Sequence, residues 1–234
     1  MAFTVHAVMP GVWHIVDCMG VCMTLLEGEN AAMLVDTGYG IEDVADFMRH
    51  MTDLPLTVFL THNHHDHAMG ARCFPETYML EADMADWRMF TDDKMRRRVL
   101  TQAIGKNLPV DEKTFLAGEI PLPKVMKPGV IDLGGLTAEI IEAPGHTPGS
   151  AVVYVPERKL LLSGDDWNPC TWLFFPQALG LREYRSNMRG IQQLPFEKVL
   201  CPHREALYDR WMFDDFFNAL TDGNLRAAEP VNIA

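Results

Sequence analysis

The chain has 234 residues, 48% hydrophobic and 22% charged, with 20 Lys and Arg against 32 Asp and Glu and a formal net charge of −12. That apolar share excludes a mainly disordered chain, and the length suffices for a buried core without disulfides. The acidic balance repels phosphate backbones and anionic lipid, which argues against nucleic acid and against a membrane surface as partners.

The elements are read in chain order as one domain over residues 1–234. FTVHAVM, VWHIVD, VCMTLLEG and AAMLVDTG are short β-rich runs broken at Pro10-Gly11, Gly20 and Gly28, and they predict an antiparallel meander. IEDVADFMRHM sets Ile41, Val44, Ala45 and Met48 at helical spacing. LTVFLTH is a continuous apolar run that predicts a strand buried on both faces. Residues 81–107 read as mostly helical, 130–163 as strands, 181–193 as a helix, KVLCPH as a strand and 205–220 as a helix. The cysteines, Cys18, Cys22, Cys73, Cys170 and Cys201, are odd in number and scattered, which is no disulfide framework. There is no secretory leader pattern and no run of ~20 apolar residues, so a cytoplasmic protein is expected.

The strongest chemical signal is THNHHDHAMG, which holds His62, His64, Asp66 and His67 within six residues. Imidazole nitrogen and carboxylate oxygen suit zinc and related divalent cations. His62 and His64 point the same way on an extended segment. Asp66 and His67 fall where the chain should turn into a helix at Ala68-Met69-Gly70, so one loop can serve two metals. His65 alternates to the other side and is expected to pack or meet solvent. Three further residues stand just past apolar strands: His146 in EAPGHTPGS, Asp165 in LLLSGDD and His203 in KVLCPHRE.

These residues, in this order, resemble the metallo-β-lactamase fold superfamily. The pattern is H-x-H-x-D-H at 62–67, a histidine 79 residues on, an aspartate 19 further and a histidine 38 further, with Asp36 in LVDTG as the early aspartate. The resemblance implies a four-layer αββα sandwich, an α/β fold with the metals at one edge. It implies one metal on His62, His64 and His146, a second on Asp66, His67 and His203, and Asp165 bridging both. Asp36 would hydrogen-bond and orient the ligand loop. The implied cofactors are two divalent ions, zinc first, with iron or manganese as alternatives. Two such ions about 3.5–4 Å apart share a water and lower its pKa from ~15.7 towards ~7. Asp66 and Asp165 are the catalytic candidates, orienting the bridging hydroxide and moving its proton.

The implied activity is hydrolysis of a small ester, thioester or lactone, with a site like that of glyoxalase II and the lactonases. A phosphodiesterase on the same site and a mononuclear iron persulfide dioxygenase are the alternatives. The bridging aspartate and the missing leader argue against a true β-lactamase. The short interval between Asp165 and His203 leaves no room for the cap domain of RNA-processing members. Only 31 residues follow His203, too few for the helical extension with which glyoxalase II binds glutathione. Tyr184 is a loose candidate for the lactonase tyrosine, although LREYRSNM reads as a structural helix.

Two segments are expected to shape a pocket. Residues 166–180 carry Trp167, Trp172, Leu173, Phe174 and Phe175, which line the pocket, form a homodimer contact or bury in the core. Residues 81–107 carry Trp87, Met89 and Phe90, then Lys94 and Arg96-Arg97-Arg98, a basic run for a substrate anion or a solvated helix face.

Overall fold

A computed structural model describes residues 3–169 and 172–221. Cys170 lies outside the described residues. The first sheet holds seven strands in chain order: β1 (Thr4–Met9), β2 (Val12–Val16), β3 (Cys22–Glu27), β4 (Ala32–Val35), β5 (Leu56–Phe59), β6 (Tyr78–Met79) and β7 (Lys124–Val125). The second holds β8 (Gly129–Asp132), β9 (Thr137–Glu142), β10 (Ala151–Val155), β11 (Leu160–Leu162), β12 (Lys198–Leu200) and β13 (Leu207–Asp209), each beside the next. The opening meander is antiparallel as expected; from β4 to β7 the pairing is parallel, and β11 and β12 are also parallel.

The helices are α1 (Val44–Met51), α2 (His65–Ala68), α3 (Trp87–Thr91), α4 (Asp93–Gly105), α5 (Glu112–Phe115), α6 (Leu181–Gln192) and α7 (Arg210–Ala219). The period of two along each strand explains the layers. Leu26, Met33, Val153, Leu160 and Leu162 point between the sheets into one buried cluster. Their chain neighbours Leu25 and Leu34 pack outward on α1. Val152, Leu161 and Val199 pack outward against α6 and α7. The result is the αββα sandwich.

Several boundaries differ from the sequence expectation. Ile41 lies outside α1, because the Asp43 carboxylate caps that helix by accepting from the Asp46 N–H at 2.9 Å. Ile41 packs instead with Leu60 and Met69. The segment 205–220 is not all helix: Leu207–Asp209 pairs with β12 before α7 begins. The turn after the ligand motif also starts earlier than expected, since His65 already opens α2. β5 is buried only in its second half.

Candidate metal centre

Every sequence-predicted ligand comes to one edge of the sandwich, because each follows the end of a strand. His62 and His64 follow β5, His146 follows β9, Asp165 follows β11 and His203 follows β12. The two sheets meet there through the Ala151 N–H, which donates to the Thr61 carbonyl at 2.9 Å. His62, His64 and His146 form one group able to hold a cation. Asp66, His67 and His203 form another, and Asp165 groups with His62 and His67. Asp165 lies between them: its carboxylate is 3.0 Å from His203 Nε2, 3.4 Å from His146 Nε2, 3.5 Å from His67 Nε2 and 4.0 Å from His62 Nε2.

The fit to metal is visible in what the site leaves unpaired. His62 Nε2, His67 Nε2 and Asp165 Oδ1 are buried without a hydrogen-bond partner. Such orphans are costly unless a ligand satisfies them. The opposite ring nitrogens are engaged. His67 Nδ1 donates to Asp36 Oδ2 at 3.1 Å and His146 Nδ1 to the Trp172 carbonyl at 2.7 Å. His62 Nδ1 donates to Thr61 Oγ1 at 3.0 Å, and that hydroxyl donates to Asp36 at 2.9 Å. Asp36 therefore fixes the tautomer of two histidines, one directly and one through Thr61. It does so from a left-handed backbone at φ 65°, unusual for a residue with a side chain.

Electrostatics agree with a cation site. Burial, then the neighbouring imidazoles, holds His62 well below its ordinary pKa, and His64 follows the same pattern, so both are neutral and able to ligate. Burial opposes charge on Asp66 and Asp165, but His67 and His203 outweigh it and keep both well below the carboxylate range. Burial likewise opposes charge on His67, yet Asp66, Asp165 and Asp36 raise it well above the usual value. Two ionised carboxylates, Asp66 and Asp165, thus face the centre of the cluster beside the His67 ring.

Sequence reasoning missed the carboxylates that hold the loops in place. Asp83, buried, accepts from the Gly149 N–H at 2.6 Å, Thr147 Oγ1 at 2.7 Å and the Asn63 N–H at 3.2 Å, tying the first ligand loop to the His146 loop. Asp166 accepts from the His146 N–H at 3.0 Å. Burial pushes the Asp83 carboxyl up, and that of Asp166 well up. No local motif marks Asp83; only the fold brings it to the site. Gln177 was also missed: its amide Nε2 lies 3.2 Å from His64 Nε2, while His64 Nδ1 lies 2.9 Å from His146 Nε2. Gly70 leaves no room for a side chain, since a Cβ there would come within 2.1 Å of the Thr37 carbonyl oxygen. That close approach lets Thr37 donate to the His67 carbonyl at 2.7 Å.

A cleft of about 600 Å³ opens over the cluster. The segment 166–180 divides between two of the expected roles. Trp167 is buried in the layer beneath α6 and α7, whereas Trp172, Phe174 and Phe175 line the cleft. The basic run divides as well. Arg96 is buried and donates to the carbonyls of Phe115, Ala117 and Gly118, so it is neither a solvated face nor a substrate contact. Lys94 and Arg97 are exposed, and Arg98 lies on the cleft wall with Met89 and Phe90. Tyr184 is buried and gives its hydroxyl to the Asp166 carbonyl, which removes it from the cleft. His65 stands outside the three ligand groups, as expected, but it is buried edge-on to Tyr39 at 5.5 Å and also lines the cleft. No helix among the described residues is long and apolar enough to cross a membrane.

Comparison with known proteins agrees with this geometry. A curated acyl-coenzyme A thioesterase, MBLAC2 of Gallus gallus, is 26% identical over 202 residues, covering 76% of this chain and 70% of its own. A metallo-beta-lactamase from Pontibacter korlensis superposes with a TM-score of 0.66 at 16% identity, over 93% of this chain and 100% of that one. The metallo-beta-lactamase FIM-1 from Pseudomonas aeruginosa, in a mono-zinc form, gives 0.66 at 16% identity and 98% coverage of both. The profile of the metallo-beta-lactamase superfamily matches residues 16–203, from β2 to the last candidate ligand, and the chain is a hydrolase belonging to that superfamily.

Proposed function

We propose that the chain is a dinuclear metal hydrolase of a small carbonyl substrate — an ester, thioester or lactone — with a thioester first among them. The observation that carries the reading is the seven-residue cluster with Asp165 between two triads and imidazole nitrogens left bare towards its centre. His62, His64 and His146 would hold one divalent cation, Asp66, His67 and His203 the other, and Asp165 both. Zinc suits this nitrogen and oxygen donor set. When bound, the ions supply Lewis acidity and a water that ionises near neutral pH.

The protein's own residues prepare the rest. Asp66 and Asp165, held ionised, would accept hydrogen bonds from the attacking water and orient it at the centre of the cluster. Asp36, Thr61 and the Trp172 carbonyl fix imidazole tautomers so that each Nε2 lone pair faces inward. His64 would ligate through Nδ1, and the Gln177 amide, turned to present Oε1, would accept its Nε2–H. The rings of Phe90, Phe175 and Trp172, beside the candidate ligand imidazoles, would border the reacting carbonyl. The thioesterase relative supports a thioester over an oxygen ester. Among the described residues, Cys18, Cys22, Cys73 and Cys201 are free thiols, which fits a reducing compartment such as the cytoplasm.

The test is elemental analysis of the purified protein together with a panel of thioesters, esters, lactones and phosphodiesters. Two divalent ions per chain and fastest turnover of a thioester or ester are expected. One iron per chain with oxygen uptake would replace the reading with redox chemistry, and turnover of phosphodiesters alone would move the substrate class.

A further inference from the structure

We infer that the cleft above the ligand cluster binds an extended apolar acyl group, so that the substrates are acyl esters or thioesters with a hydrocarbon or aryl chain rather than short or polar acyl groups. This rests on the hydrolase reading for the position of the carbonyl, and on the cleft itself for the chain. The cleft, at about 600 Å³, falls within the roughly 300–1,000 Å³ of small-molecule sites. Apolar rings reach the ligands themselves. Phe90 and Phe175 lie 4.5 and 4.7 Å from the His64 ring, and Trp172 lies 4.4 Å from the His203 ring. Groups attached to a carbonyl at the cluster would meet aromatic surface at once.

The apolar path continues outward. The Phe174 ring lies tilted against that of Phe175 with centroids 4.7 Å apart, and Met89 and Met95 also line the cleft. Met89 and Phe174 are 58% and 43% exposed although both are large and apolar. Their place on the cleft lining gives that exposure a reason: they form the mouth of a binding surface. Methionine side chains there adapt to chains of varied shape. A polar acyl group would lose hydration against this wall, because the charged lining residues beyond the ligand cluster, among the described residues, are Asp86 and Arg98.

The experiment uses metal-loaded protein and one small thiol carrying acetyl, butanoyl, hexanoyl or decanoyl groups. kcat/KM is expected to rise by about fourfold for each methylene the cleft covers. Met89→Ser and Phe174→Ser, at exposed positions that do not carry the core, are each expected to lower the decanoyl-to-acetyl ratio by about tenfold. Val130→Ser, an exposed apolar side chain on edge strand β8, should leave that ratio alone. A second arm needs no turnover: decanoate and acetate are compared as competitors for a fluorescent apolar dye. A flat rate series, or displacement with no preference for decanoate, overturns the apolar acyl site. If no ester or thioester is turned over but decanoate displaces the dye and Met89→Ser weakens it, the ester and thioester reading falls and the apolar site stands.

Discussion

The two flanks of the ligand cluster are built on opposite principles. Beneath it, towards the interior, Asp36, Asp83 and Asp166 satisfy backbone and side-chain donors of the ligand loops within about 3 Å each. Above it, rings of Phe90, Trp172 and Phe175 touch the ligand imidazoles without directional bonds, and Gln177 supplies a polar contact from that side. Hydrogen bonds in a buried network fix atoms to a few tenths of an ångström, which metal geometry demands. Dispersion contacts tolerate exchange, which a substrate wall needs. On the proposed reading, the chemistry is anchored on the rigid flank and selectivity on the adaptable one.

Predictions separate these flanks. The largest effect is expected at the bridge. Asp165→Asn keeps the shape but not the charge that holds two cations close, so hydrolysis near neutral pH should fall by about 10² or more while circular dichroism stays unchanged. Retained activity with both metals bound would detach Asp165 from the mechanism. Next, His62→Ala should lose bound metal and activity together. His65→Ala, whose ring packs on Tyr39 outside the ligand groups, should keep its metal content by elemental analysis. Equal metal loss in both would mean that the loop's orientation is misread.

The first sheet, at His14 in β2, also predicts a pH response. Burial pushes His14 down from 6.5 to about 4, although it bonds Thr24 Oγ1 at 3.0 Å and the Arg204 carbonyl at 3.2 Å. The unfolded chain binds the proton first as pH falls through 6.5. Stability is thus fully present above that pH and is lost on the way down to about 4. Urea unfolding should show a loss of about 2 kcal/mol from this group between pH 7 and 5. His14→Gln should flatten that part of the profile. The smallest effect is expected on the open flank, where Gln177→Ala should weaken metal binding at the His62, His64 and His146 group by about tenfold, and Gln177→Glu should restore most of it. An unchanged affinity, measured by competition with a chelating dye, would make Gln177 a passive part of the wall.

Most of the layer pattern was legible because strands buried on both faces write themselves as continuous apolar runs such as AAMLV, SAVVYV and KLLL. The ligand candidates were legible for a related reason. Histidine and aspartate just past such runs are polar where the chain has left the core but is still held by it. Boundaries were less legible. Asp43 stops α1 from starting at Ile41, and the pairing of Leu207–Asp209 with β12 takes residues that read as helix. In both cases a local cap or a strand partner outweighs helical spacing.

What the sequence determined by itself is the candidate donor set and its order, since ligand chemistry depends on residue type and on proximity to strand ends. What the tertiary structure alone decided is which residues serve those donors. Asp83, Trp172 and Gln177 lie 20, 26 and 113 positions along the chain from the residues whose atoms they meet, namely Asn63, His146 and His64. It also decided that Arg96 is buried while Arg98 faces the cleft, two residues apart in one basic run. The reason is physical: residue spacing encodes a face of a helix or strand, but what packs on that face is set by two sheets closing on each other, and no local pattern contains that.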